Sequence, residues 1–176
     1  MKTTIKIFSL AIAIIGFSAT SFAQNGVSAT ATATSNIIAP ITITNNANMN
    51  FGNIAVLSNE AGTVVLAPAG GRTRTGGVTL PSNNGTVAAA QFTITGATGY
   101  TYAVTLPSVP TTVTSGSNNM TVNAFTSTTD GTGTLTGTLT GGSSILKVGA
   151  TLNVGAGQAA GTYISETPFT VTVNYN

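Results

Sequence analysis

Residues Val27 to Thr34 read Val-Ser-Ala-Thr-Ala-Thr-Ala-Thr. In an extended chain this strict alternation puts Val27, Ala29, Ala31 and Ala33 on one face and hydroxyls on the other. A period of two recurs along the whole chain, and no window carries a sustained helical period with caps. Further strands are predicted at Ile37–Thr44, Met49–Val56, Thr63–Ala67, Val78–Leu80, Val87–Thr95 and Tyr100–Leu106, then at Met120–Thr126, Gly133–Thr140, Ile145–Val154 and Phe169–Tyr175. Pro40 falls inside the first of these, and proline cannot donate to a ladder, so an edge or a bend is expected there. Asn84-Gly85 and Asp130-Gly131 tolerate positive φ at both central positions of a hairpin, and Gly70-Gly71, Gly76-Gly77 and Gly141-Gly142 punctuate the other runs. Short strands at this spacing predict an all-β fold, an antiparallel β-sandwich.

Threonine supplies much of the pattern, with 32 of them in residues 24–176. Its branched Cβ suits a pleated backbone, and its hydroxyl keeps an outer face wet without charge. Uncharged strands carry a hazard, because an unpaired edge with few lysines is a template for another chain. Either the edges are closed internally or pairing with another copy is their purpose.

The amino terminus points to export. Lys2 and Lys6 precede an apolar stretch from Ile7 to Phe17, and Ser21-Phe22-Ala23 offers a cleavage site before Gln24. Residues 1–23 read as a secretory signal peptide, with the periplasm, cell surface or extracellular space as destination. The apolar stretch is shorter than the roughly 20 residues that cross a bilayer, and no later segment qualifies, so no integral membrane protein is expected. Residues 24–176 then form one domain, with an extended N-terminal segment at about 24–36. Lys2 and Lys6 account for the whole formal charge of +2. The rest of the chain is near neutral and holds no Lys/Arg cluster, so nucleic acid is not an expected partner. With no cysteine, stability rests on packing and backbone pairing.

Chemistry is nearly absent from this inventory. After residue 23 the ionisable side chains besides tyrosine are Glu60, Asp130, Glu166, Arg72, Arg74 and Lys147, and there is no histidine, cysteine or tryptophan. No catalytic, cofactor-binding or metal-ligating residue is assigned, and no enzyme is expected. Gly155-Ala-Gly-Gln-Ala-Ala160 matches a loose dinucleotide fingerprint, but the residues that follow are strand-like and no acidic residue lies about twenty positions on. Arg72 and Arg74 read as a solvating loop pair in a Gly-rich segment, with grip on an anionic sugar as the sharper alternative. Lys147 beside Ile145-Leu146 reads as a snorkelling edge charge. A covalent link from it to an asparagine would need a dry core and a nearby carboxylate. Asn84-Gly-Thr and Asn119-Met-Thr match the N-glycosylation pattern, which is frequent by chance in so threonine-rich a chain.

Asn48-Met-Asn-Phe-Gly-Asn-Ile54 resembles a family of secreted bacterial proteins, domain of unknown function 4402. The likeness continues through "GTVVLAPAGGRTRTGGVTL", "AAQFTITGATGYTYAVTLP", "VGATLNVGAGQAAGTY" and the terminal "FTVTVNYN". More remotely, the Asn-Phe-Gly element, the Ala-Gly-Thr-Tyr run and the final strand are similar to spore coat protein U domains, themselves similar to archaic chaperone-usher pilins. The cysteine such domains usually carry ahead of the Phe-Gly element is missing here.

The pilin likeness implies an immunoglobulin-like antiparallel β-sandwich that lacks one strand, its groove filled by the N-terminal extension of a second subunit. Gln24 to Thr34 is the candidate donor, with Val27, Ala29, Ala31 and Ala33 entering the groove. The same residues equally suit an ordinary first strand within their own sandwich. Phe169, Val171, Val173 and Tyr175 form an apolar stripe like the terminal strand that pilin chaperones grip, and a plain core strand has the same pattern. The expected function is thus a secreted, non-catalytic structural or adhesive subunit, pilin-like or coat-like. Its partners are itself or a related subunit, with a periplasmic chaperone and an usher. The alternatives are a soluble extracellular glycan- or surface-binding module presenting loops such as Ala69–Gly77, and an outer-membrane barrel, which the shortage of aromatic girdle residues disfavours.

Overall fold

A computed structural model of the chain describes residues 26–129 and 135–176. The predicted signal peptide, Gln24, Gly133 and the Asp130-Gly131 turn lie outside them. The chain divides into two units, Met1–Asn36 and Ile37–Asn176. In the first, residues 26–36 are all exposed and none is in a strand.

The second unit is built of twelve strands among its described residues. They are β1 (Thr42–Ala47), β2 (Ala55–Val56), β3 (Gly62–Leu66), β4 (Arg72–Gly76), β5 (Val78–Thr79), β6 (Ala90–Thr95), β7 (Thr101–Thr105), β8 (Thr111–Ser115), β9 (Asn118–Thr129), β10 (Thr136–Thr138), β11 (Ser143–Val154) and β12 (Thr172–Tyr175). The organising strand is β11, because its alternation is the longest: Ser144, Leu146, Val148, Ala150, Leu152 and Val154 are all buried. One edge of β11 pairs first with β6 and then, from Ala150, with β3, while β9 takes the other edge. Outside these lie β1 on β6, β4 on β3 and β8 on β9, completing a seven-stranded sheet.

A second layer covers its inner face in two pieces. The sheet β10-β7-β12 packs on β6 and the first half of β11, burying Ile94, Tyr102, Val104, Leu139, Leu146, Val171 and Val173 in one cluster. The β2-β5 pair covers the rest, around Val64, Val78, Val122, Leu152 and Val154. Every ladder is antiparallel, so the predicted β-sandwich is the fold. Each buried Val, Leu or Ile contributes about 1.5–3 kcal/mol, which lets the fold stand without a disulfide. The outer face of the large sheet is hydroxyl-rich. Thr42 pairs with Thr95 and Thr63 with Thr75, their hydroxyl oxygens 2.7 Å apart in each case.

The change of partner along β11 occurs at Gly149. A Cβ there would lie 2.1 Å from the Leu66 carbonyl oxygen, closer than atoms can approach. On the opposite edge β9 has a bulge at the same level, with Ala124 at φ 47°. The two irregularities bend β11 so that one strand serves both core clusters.

Several predicted elements are corrected. Val27–Thr34 is not a strand in this structure, since a period of two describes a chain able to pair but supplies no partner. Pro40 delays β1 to Thr42, and Met49–Val56 yields only a bridge from Asn50 to Ala88 and the short β2. Asn84-Gly85 does not turn a hairpin; the Asn84 carbonyl accepts from the Asn53 N–H at 2.8 Å and anchors a loop. The two-residue hairpin is Gly116-Ser117, between the unforeseen β8 and β9, with Gly116 at φ 59° as its first central residue. Arg72–Gly76 is strand β4, not loop.

Candidate functional site

The described ionisable side chains are scattered over separate elements. Glu60 is exposed ahead of β3, Glu166 is exposed in the segment before β12, and Lys147 is exposed on the outer face of β11. Its cross-strand neighbours are Gln91 and Thr128, so the dry core and carboxylate that a covalent lysine link needs are missing at this position. Asp130 lies outside the described residues. The Gly155–Ala160 run makes a turn: the Gly157 N–H donates to the Leu57 carbonyl at 2.9 Å, and Gln158 Nε2 donates to the Asn119 carbonyl at 3.2 Å and Tyr163 Oη at 2.8 Å. Nothing there starts a helix, so its glycines serve chain geometry.

Arg72 has a structural task that its sequence neighbourhood does not announce. Its guanidinium donates to the carbonyls of Phe51 and Asn53, the latter at 3.1 Å. It thereby holds the Asn-Phe-Gly element, where Gly52 has φ 68° and a Cβ would lie 2.3 Å from the Asn84 carbonyl. Arg72 and Arg74 stand across from Leu66 and Val64, so their charges sit at the inward positions of an edge strand, a placement that discourages a further strand from adding to β4. Replacing Arg72 with Met removes two charge-assisted bonds, and the variant is expected to lose about 1.5–3 kcal/mol in urea unfolding. A midpoint equal to that of the parent would show the clamp to be idle.

The edges of β1 and β12 are different. β1 pairs only with β6 and β12 only with β7 among the described residues. Behind them the core closes incompletely: Ile94 on β6 and Tyr102 on β7 are fully buried, Val171 and Val173 retain 8% exposure, and Ile41, Ile43, Phe169 and Tyr175, in β1 and β12 or just ahead of them, are only half-buried. The core therefore thins towards these two edges. Of the terminal stripe, Val171 and Val173 sit in the core, Phe169 tilts onto Phe125 with ring centroids 4.9 Å apart, and Tyr175 meets Tyr100 edge-on at 5.8 Å. Both edges are uncharged, so they offer main-chain donors and acceptors with a half-covered core behind them.

A cleft of about 610 Å³ opens nearby. It lies between residues 106–113 and 165–171, which are joined at both ends by the Thr105–Thr172 and Thr114–Ile164 pairings but not to each other between them. Pro107, Pro110 and Pro168 line it, and their missing N–H groups account for the interrupted pairing. Leu106, Phe169, Val109, Thr112 and Glu166 also line it.

The sequence-assigned donor residues Val27, Ala29, Ala31 and Ala33 are exposed, Val27 fully so, and carry no ladder bond. Among the described residues, no helix is long and apolar enough to cross a membrane.

The chain belongs to the family described as Domain of unknown function (DUF4402), whose model matches residues 41–175. The matched span takes in all twelve strands and begins after the exposed segment. No curated protein and no solved structure matches the chain.

Proposed function

We propose that this member of the family is an exported, non-catalytic structural subunit, pilin-like or coat-like, that assembles by adding residues 24–34 of one copy as a strand to the free β12 edge of another. The observation that carries this reading is a pairing mismatch. An alternating, uncharged segment has no partner at residues 27–34, while β12 has an uncharged free edge with a half-closed core behind it. Strand addition would satisfy both through main-chain hydrogen bonds, with side chains at alternate positions setting the fit. Alanine methyls bury little, at about 0.8 kcal/mol per CH₂, so affinity would rest on the ladder and on Val27. The immunoglobulin-like detail of the sandwich, export by way of the signal peptide, and handling by a periplasmic chaperone and an usher belong to the same proposal. The test is the purified chain starting at Gln24. Light scattering is expected to show multimers that grow with concentration, and electron microscopy to show filaments. A strict monomer at high concentration rejects the reading.

A second reading, a glycan-binding module, draws on the cleft with its hydroxyls and Glu166. The loop first assigned to it, Ala69–Gly77, is mostly strand β4. A monomer that retains sugar on an affinity column would favour this role.

A further inference from the structure

Tyr175 joins three separate parts of the sandwich. Its hydroxyl donates to the Ala39 carbonyl at 2.9 Å and accepts the Ala97 N–H at 2.6 Å. A Cβ on Gly96 would lie 2.2 Å from that oxygen, so this glycine leaves the space in which the hydroxyl is seated. Ala39 directly precedes Pro40 and β1. The chain is thus pinned, at its entry into the sandwich, to the side chain that ends β12.

The pin decides which residues are able to complete the β12 edge. A segment of the same chain lying back from Ala39 along β12 has to spend its nearest residues first. Its inward positions would be Ile37, Ser35 and Ala33, with Val27, Ala29 and Ala31 left beyond the edge. Ser35 would bring a hydroxyl against Val171 and Val173 with no partner there, which burial penalises. A segment from a second copy has no such tether. Its Val27, Ala29, Ala31 and Ala33 repeat with the same period as the core-facing Phe169, Val171, Val173 and Tyr175, the last two in β12 and the first two in the residues just before it, so four inward positions meet four.

We infer that the free edge of β12 receives residues 27–33 of a second copy, and that the Tyr175 hydroxyl is the positioning contact that keeps the chain's own segment out. This rests on the strand-addition reading above and adds to it the register and the selection against self-pairing. The midpoint of 27–33 is Thr30 and that of 169–175 is Thr172, so these two come side by side whichever way the added strand runs. Self-pairing would instead bring Asn36 near Thr172.

The chain has no cysteine, so introduced thiols are unambiguous. Oxidising a mixture of T30C chains and T172C chains is expected to give an interchain disulfide. A dilute N36C/T172C double variant is expected to give little intrachain disulfide. Y175F keeps the ring but loses both hydrogen bonds. With the pin gone the chain's own residues 27–33 are able to slide into register, so in a dilute T30C/T172C double variant Y175F is expected to raise the intrachain disulfide about tenfold. Ready 36–172 closure in the chain that retains Tyr175 overturns the inference. An interchain product with Y175F indistinguishable from the parent overturns the role of the hydroxyl, while strand addition stands. Multimers that form without the 30–172 product overturn the register alone. A chain that forms neither disulfide nor multimers overturns strand addition itself.

Discussion

Deleting residues 24–34 is expected to leave a folded sandwich that is unable to assemble with other copies. The segment's described residues, 26–34, supply no ladder bond and no core side chain and are all exposed. Its removal is therefore expected to change unfolding free energy by no more than about 0.5 kcal/mol, the range of surface changes that break no specific interaction. Its effect on assembly is expected to be all-or-none. A donated strand contributes main-chain hydrogen bonds worth about 0.5–1.5 kcal/mol each, and no other described segment offers an unpaired alternating run. Thermal unfolding checks the first half of the expectation and sedimentation velocity the second. Polymer of undiminished length after deletion would remove these residues from the assembly mechanism.

The largest effect on folding is expected at Gly149. Alanine there places a methyl 2.1 Å from the Leu66 carbonyl oxygen and 2.8 Å from the Ala67 carbonyl carbon and the Pro68 nitrogen. All three are backbone atoms, so no side chain can swing aside. Relief requires β11 and β3 to separate, and with them both core clusters that β11 holds together. Gly149→Ala is expected to cost more than about 3 kcal/mol of a total that for such a domain is about 5–15 kcal/mol. Gly71→Ala is the control, since a Cβ at that position meets nothing within 4 Å. Its effect is expected to be near zero or slightly stabilising, through a less flexible unfolded chain. Urea unfolding of the two variants in parallel measures the contrast; equal midpoints would mean that the crossover from β6 to β3 does not depend on a bare backbone.

Strands that bury one face in the common core were legible as alternation, as β11, β6, β3 and β7 illustrate. β8 was not, because Thr-Thr-Val-Thr-Ser carries one apolar residue, Val113, and is fixed by its hairpin to β9. β4 was hidden by arginines at the inward positions of an edge strand, where patterning rules expect apolar residues. Residues 27–34 show the opposite failure: their period was plain, but a period states which side chains share a face and leaves the neighbour open. Gly149 reads in sequence like any turn glycine, since only the carbonyl brought over it by β3 gives it meaning. The candidate edge was partly legible in the stripe from Phe169 to Tyr175. The contact that shapes it, from Tyr175 to Ala39, spans 136 positions and leaves no local trace.

The hydroxyl pairs Thr42–Thr95 and Thr63–Thr75 belong to a surface that meets water almost without ions. Attractions between such surfaces owe little to Coulomb forces, so dissolved electrolytes have little to screen. With few carboxylates and no imidazole, acidity has equally few handles on them. A layer made from this material would keep its cohesion from fresh water to brine.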